Sequence, residues 1–164
     1  MRTFLFVFMA LISFVQVNAQ NSVLQSFYEQ HKDVENVTSF NIGGNFLQNM
    51  TLGDDNEGKI RSTLKQLYVL NLPFSEVSAS DLSNLKRDIK KNDYEELMTF
   101  REGKERVVIY IKEKKDHIEE LLVMVEDSTE ELLLVSLTGT ILFEDLEHIN
   151  IDGRAGEVIR EIKH

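Results

Sequence analysis

Residues 94–138 read YEELMTFREGKERVVIYIKEKKDHIEELLVMVEDSTEELLLVSLT and contain four apolar-rich runs separated by short polar turns. Within each run the hydrophobic residues recur with a period of two, which is typical of β-strands. Gly103 and Lys104 supply a two-residue turn of the kind that closes a tight hairpin. The segment therefore predicts a four-stranded antiparallel meander, with strands over 94–101, 106–112, 117–126 and 131–138.

The alternation assigns the side chains of the last three strands to two faces, because neighbouring residues in a strand point to opposite sides of the sheet. One row, here called the Val123 face, is apolar throughout, and we expect helices to cover it as the core. The opposite row, here called the Met124 face, begins apolar and ends polar, so we interpret it as a candidate contact surface; packing under the N- or C-terminal helix is the alternative. The Val123 face comprises Val107, Ile109, Ile111, Leu121, Val123, Val125, Leu133, Val135 and Leu137. The candidate contact residues of the Met124 face are Val108, Tyr110, Leu122, Met124, Leu132 and Leu134.

Outside the meander the apolar spacing predicts several helices and one or two further strands. The clearest helix begins near Ser80, which is a suitable N-cap, and places Leu82, Leu85 and Ile89 in one stripe. The predicted fold class is α+β: a two-layer structure with a mostly antiparallel sheet of five or six strands and helices packed on one face. The other predicted elements are helices over 21–32, 45–50, 60–67 and 143–149 and strands over 37–42 and 68–72.

Residues 1–19 have the three-part pattern of a secretory signal. Arg2 precedes an apolar run over 4–15, and a cut between Ala19 and Gln20 follows from the small residue before it. The run is shorter than the roughly 20 residues of a spanning helix, which disfavours the alternative of an uncleaved anchor. We therefore predict a signal peptide over 1–19, a single domain over 20–164, and an exported protein located in the periplasm, at the cell surface or outside the cell.

Charge and cysteine content exclude several kinds of partner. The formal net charge is −10 and no basic stripe is present, which argues against binding to nucleic acid or to an anionic membrane surface. The chain contains no cysteine, so it can form no disulfide and carries no lipid-anchor cysteine. No segment after the signal is apolar enough to predict a transmembrane span.

The sequence contains no recognisable catalytic or metal-binding motif. Residues 54–58 are acidic but lack the spacing of a calcium loop, and the four histidines have no metal-ligand spacing. Adjacent acid pairs such as Glu119 and Glu120 are interpreted as one solvent-facing charge and one charge at the rim of a strand. We predict no catalytic residue, no metal ligand and no cofactor, and therefore a protein that is not an enzyme.

Several packing and turn segments resemble a family of small exported bacterial proteins known as domain of unknown function 4252. The resemblance implies a protein of the Bacteroidota, in the periplasm or at the cell surface, without an established activity or catalytic residues. Many members resemble lipoproteins with a cysteine after the signal, which this chain lacks. The similar segments are 80–85, 94–98, 107–112, 118–125, 133–141 and 143–146.

These observations lead to three functional hypotheses. The first is an exported, non-catalytic accessory or binding protein of the bacterial envelope, which contacts a protein partner or a second copy of itself through the Met124 face. The alternative is a carrier of a small apolar ligand or lipid, bound in a cavity lined by the same residues. A hydrolase that uses scattered carboxylates is the least favoured.

Overall fold

Two helices and six strands form the body of the protein in the computed structural model, which describes residues 22–44, 46–47, 63–127 and 129–148. Single 3-10 turns follow β2 and β6. The helices are α1 (Val23–His31) and α2 (Ala79–Lys91). The strands are β1 (Thr38–Gly43), β2 (Thr63–Pro73), β3 (Glu95–Glu102), β4 (Glu105–Lys114), β5 (His117–Asp127) and β6 (Glu131–Ile141), and the 3-10 turns are Phe74–Glu76 and Phe143–His148.

The six strands form one antiparallel sheet in the order β1-β2-β6-β5-β4-β3. After β2 the chain runs through α2 to the far edge of the sheet. It then returns strand by strand until β6 pairs with β2, for example at Leu72 and Leu132. The predicted α+β class and the mostly antiparallel sheet are confirmed.

Both faces of the sheet are buried. On the Val123 face, Leu47 and Ile141 join the predicted apolar rows in one cluster, and Leu146 packs against it. On the Met124 face, Leu24, Phe27 and Tyr28 of α1 pack against the sheet together with Leu85 and Ile89 of α2. The prediction that helices cover the Val123 face is therefore not confirmed for α1 and α2, because their apolar stripes lie against the opposite face.

Both helices begin with a serine that accepts a backbone hydrogen bond. Ser22 Oγ accepts from Gln25 N at 3.0 Å, and Ser78 Oγ accepts from Asp81 N at 3.1 Å. Each bond satisfies one of the unpaired N–H groups in a first helical turn. The N-cap of α2 is thus Ser78 rather than the predicted Ser80.

The predicted helix over 60–67 is wrong where the structure describes it, because residues 63–67 belong to β2. A β-bulge lies between Leu64 and Gln66. The extra residue places Leu64 and Leu67 on the same face although they are three positions apart, and both belong to the Val123-face cluster. A spacing of three on one face is the usual mark of a helix, so the bulge imitates helical periodicity.

Several predictions fall on residues outside the described ranges. These are the signal peptide over 1–19, its cleavage between Ala19 and Gln20, the acidic loop over 54–58 and the tail from 149 onward. Within the described ranges, no helix has the length and apolar character needed to cross a membrane.

Candidate functional site

A buried carboxylate, Glu120 of β5, is the centre of a cluster of polar side chains beneath α1. Tyr94 Oη donates to Glu120 Oε2 at 2.6 Å, and Ser136 Oγ donates to Glu120 Oε1 at 2.6 Å. The Glu120 side chain is only 3 % exposed, and Ser136 and Tyr94 are buried as well. Both carboxylate oxygens are therefore satisfied by the protein itself.

The first turn of α1 belongs to the same cluster. Ser22, whose oxygen caps the helix through Gln25 N, lies close enough to Glu120 for its hydroxyl to lower the pKa of that carboxyl. The backbone N–H of Val23 lies near the phenolic oxygen of Tyr94 and opposes the rise in the pKa of that group. The positive end of the helix dipole thus lies beside the Glu120 carboxylate, where a negative charge is favoured.

Strand register explains how Glu120 reaches this position. A β-bulge between Ile118 and Glu120 interrupts the pairing of β5 with β6, and from Glu120 onward the even-numbered residues of β5 lie on the Met124 face. Thr138 is directly opposite Glu120 on β6, so Ser136 is its diagonal neighbour on the same face. Lys112 is directly opposite Glu120 on β4.

Tyr94 is brought to the cluster by the end of α2. The helix is capped by Asn92, and Asp93 has a positive φ of 59°, which turns the chain toward β3. The Tyr94 ring then lies under the α1 terminus, with Lys112 Nζ 5.5 Å from its centroid. The site therefore joins β4, β5 and β6 to the start of α1 and to the connection between α2 and β3.

Burial dominates the electrostatics of the cluster. It raises the pKa of Glu120 above the ordinary value of 4.5, and hydrogen bonds from Ser136, Tyr94 and Ser22 together with the charge of Lys112 oppose this rise. Burial also raises the pKa of Tyr94, with the neighbouring Glu120 charge as the second cause. The raised pKa favours the protonated phenol of Tyr94, which is the form that donates to Glu120.

The arrangement is suited to clamping rather than to metal binding. Two hydroxyl groups, those of Tyr94 and Ser136, donate to the one carboxylate of Glu120. Across the described ranges, no group of three or more His, Asp or Glu side chains is placed to hold a metal ion. Its evident chemical effect is to tie the first turn of α1 to β5, β6 and the start of β3.

The predicted contact residues are brought together on one face, as the alternation implied, but they form core. Val108, Leu122, Met124, Leu132 and Leu134 are each 0 % exposed. The four residues of β5 and β6 pack with α1 and α2 in one cluster, and the half-buried Tyr110 packs against it. The prediction of a contact surface at these residues is therefore wrong. The physical reason is that the row is apolar enough to attract both helices, so packing under α1, the alternative reading, is the arrangement found.

Glu120 is the residue that sequence reasoning misjudged. Its neighbour Glu119 is solvent-facing as predicted, with Oε1 2.9 Å from Lys114 Nζ, whereas Glu120 is in the core rather than at a rim. The sequence did indicate that Glu120 is buried, because Glu120 belongs to the same alternating row as Leu122 and Met124. A charge in that row indicates a buried partner, and Ser136 occurs in the matching row of β6.

The comparisons with known proteins add a family and little else. The family described as domain of unknown function (DUF4252) matches residues 28–149, a range that contains Glu120, Tyr94 and Ser136 but not Ser22. No curated protein and no solved structure matches the chain.

Proposed function

We propose that this chain, which belongs to the family described as domain of unknown function (DUF4252), is an exported, non-catalytic accessory or binding protein of the bacterial envelope. Export is supported by the pattern of Arg2 followed by the apolar run over 4–15 and Ala19. The resemblance to small exported proteins of the Bacteroidota supports an envelope location.

The non-catalytic part of the proposal rests on Glu120, because both oxygens of its carboxylate already accept hydrogen bonds within the protein. A general acid or base needs a lone pair or proton that faces its substrate. Each carboxylate oxygen of Glu120 instead accepts a hydrogen bond of 2.6 Å from a hydroxyl group of the same chain, and the residue is only 3 % exposed. A carboxylate engaged in this way contributes to the stability of the fold, and the protein acts through its surface.

Export is tested by fractionating cells of the native host that produce the chain with a C-terminal tag. We expect the protein in the periplasmic, surface or secreted fraction, with an N-terminal peptide that begins at Gln20 in mass spectrometry. Full-length protein in the cytoplasm would overturn the location. A cut elsewhere near residue 20 would leave the location standing and correct the cleavage site alone.

The binding role is tested by cross-linking in the intact envelope, affinity capture and mass spectrometry. The wild type is compared with Glu120→Gln and with the control Ser78→Ala, which removes the N-cap hydrogen bond of α2 and leaves Glu120 unchanged. We expect the same cross-linked partner from all three chains, because the buried carboxylate takes no direct part. Selective loss of the partner in Glu120→Gln would contradict the proposal. A stoichiometric lipid retained in native mass spectrometry would replace it with the carrier hypothesis.

A further inference from the structure

The two edges of the sheet differ in how they are protected. The outer strand β3 carries four charged residues among eight and has a bulge between Glu96 and Met98. The other outer strand, β1, has the sequence TSFNIG and carries no charge. Sheet edges are ordinarily guarded by charges, prolines or bulges, because their free N–H and C=O groups pair readily with another strand. Among the described strands, β1 is thus the unguarded edge.

The β1 edge is held in a regular conformation. All six of its residues pair with β2 without a bulge, from Thr38 opposite Asn71 to Gly43 opposite Gln66. Ser39 Oγ donates to the carbonyl oxygen of Lys32 at 3.3 Å, and Gln66 Nε2 of β2 donates to Asn41 Oδ1. Because β1 is already extended and ordered, it can pair with an added strand without paying the entropic cost of ordering its own backbone.

Exposed aromatic side chains occur on β1 and shortly after it in the sequence. Phe40 of β1 is 54 % exposed, and Phe46, shortly after the strand, is 63 % exposed. They are two of the four large hydrophobic side chains that are exposed in the described residues, the others being Leu97 and Phe143. Uncharged backbone groups and exposed rings together are typical of a strand that receives a partner.

The geometry points to a second copy of this chain as that partner, paired antiparallel through β1 to β1 in a two-fold dimer with a continuous sheet. This inference deepens the proposed function by naming one protein contact. A two-fold axis perpendicular to the sheet keeps equivalent faces on the same side, and we place this axis at Phe40, so that Phe40 of each copy becomes a cross-strand neighbour of the other.

Charge favours this edge over other surfaces for self-association. Two copies with a formal net charge of −10 each repel one another. Pairing through β3 would bring together two strands that each carry three glutamates and one arginine, whereas pairing through β1 places no charge against a charge. Residues 38–42 pair in this register and make a small interface, so we expect a dissociation constant on the order of 10–100 µM.

The test is sedimentation equilibrium of the purified chain, from about tenfold below to about tenfold above the expected dissociation constant. We expect a reversible monomer–dimer equilibrium for the wild type. Phe40→Lys places like charges across the two-fold axis and should weaken the dimer about tenfold. The matched control Leu97→Lys adds the same charge at an exposed position of β3 (45 % exposed) and should leave the equilibrium unchanged.

A mixing experiment separates a lost interface from a lost fold. Phe40→Lys and Phe40→Glu should each be mainly monomeric alone and should associate when combined, because opposite charges then meet across the axis. A wild type that is monomeric at every concentration would overturn the dimer. A dimer weakened as much by Leu97→Lys as by Phe40→Lys would also overturn the assignment to β1.

Failure of the dimer inference and failure of the proposed accessory role give different experimental results. A monomeric chain that still captures an envelope protein overturns the dimer and leaves the accessory role standing. If that capture is lost in Phe40→Lys but not in Leu97→Lys, β1 receives a different protein and the second copy is excluded. A dimer that captures nothing supports the present inference and counts against the accessory role.

Discussion

Replacing Glu120 by alanine should destabilise the protein severely, because the change leaves two buried hydroxyl groups without an acceptor. Tyr94 and Ser136 each lose a 2.6 Å hydrogen bond. An unsatisfied buried polar group costs about 1–3 kcal/mol, which gives about 2–6 kcal/mol for the pair. Relief of the buried charge offsets part of this loss, as the raised pKa of Glu120 indicates. We therefore expect a decrease of about 2–4 kcal/mol in the free energy of unfolding.

The measurement is urea-induced unfolding followed by circular dichroism, with unchanged slopes taken as the sign of a comparable two-state transition. Glu119→Ala is the matched control, because it removes the adjacent carboxylate from an exposed pair with Lys114. Exposed ion pairs contribute about 0–1 kcal/mol, so this variant should stay near the wild type. Equal losses in Glu119→Ala and Glu120→Ala would refute the special position of Glu120.

A compensating variant tests whether unsatisfied hydroxyl groups are the cause. Glu120→Leu alone should lose as much stability as Glu120→Ala. Adding Tyr94→Phe and Ser136→Ala removes both orphaned donors and should recover about half of the loss or more, since an apolar network of similar shape is close to neutral. No recovery in this combined variant would show that the loss has another origin, such as packing.

The dependence on pH has a defined sign. A folded-state pKa above the unfolded value means that the folded protein binds the Glu120 proton more tightly. The stability contributed by this group is therefore full below pH 4.5 and is lost as the pH rises through the raised folded-state pKa. Glu120→Gln lacks this titration, so its deficit relative to the wild type should be larger at acid pH and shrink toward neutral pH. A deficit that grows with pH would contradict the raised pKa.

Three further changes test other parts of the fold. Met124→Asp should cost several kcal/mol and unfold the chain in circular dichroism, since it buries an unpaired charge beneath α1 and α2; a folded variant would show that the Met124 face opens. Gly139→Ala should lower the free energy of unfolding by about 2 kcal/mol, because the new Cβ would lie 2.2 Å from the Thr63 carbonyl oxygen; unchanged thermal unfolding would mean that β2 and β6 separate easily. Ser78→Ala should cost about 1 kcal/mol through loss of the α2 N-cap, and Ser80→Ala only a few tenths; the reverse order in urea unfolding would restore Ser80 as the cap.

The strands were predictable because alternation is a local property. The rows that contain Val107, Val123 and Val135 are in phase with the observed register, and the hairpin at Gly103 has the expected positive φ of 57°. The alternation does not predict which face of the sheet α1 and α2 pack against. Both rows are apolar in their centres, so the decision depends on where α1 and α2 can reach, which is a property of the whole chain.

The buried cluster was hidden for a related reason. Glu120 is one of many glutamates, and Ser136 and Tyr94 are distant from it in sequence. Only the register of β5 with β6 and the turn after α2 bring the three together. The bulge at Leu64 had the opposite effect, since it produced a regular spacing that belongs to another kind of element.

The strand order has a consequence for the order of events during synthesis. Strands β3 to β6 are joined by short turns and can pair as soon as each is complete, which makes them fast, local contacts. Strand β2 can pair with β1 early, but its other edge waits for β6, which is made much later and supplies Leu132 as the cross-strand neighbour of Leu72. One edge of β2 and its apolar side chains therefore stay exposed until the last strand has been made. During that interval β2 is the segment that a holding chaperone would recognise.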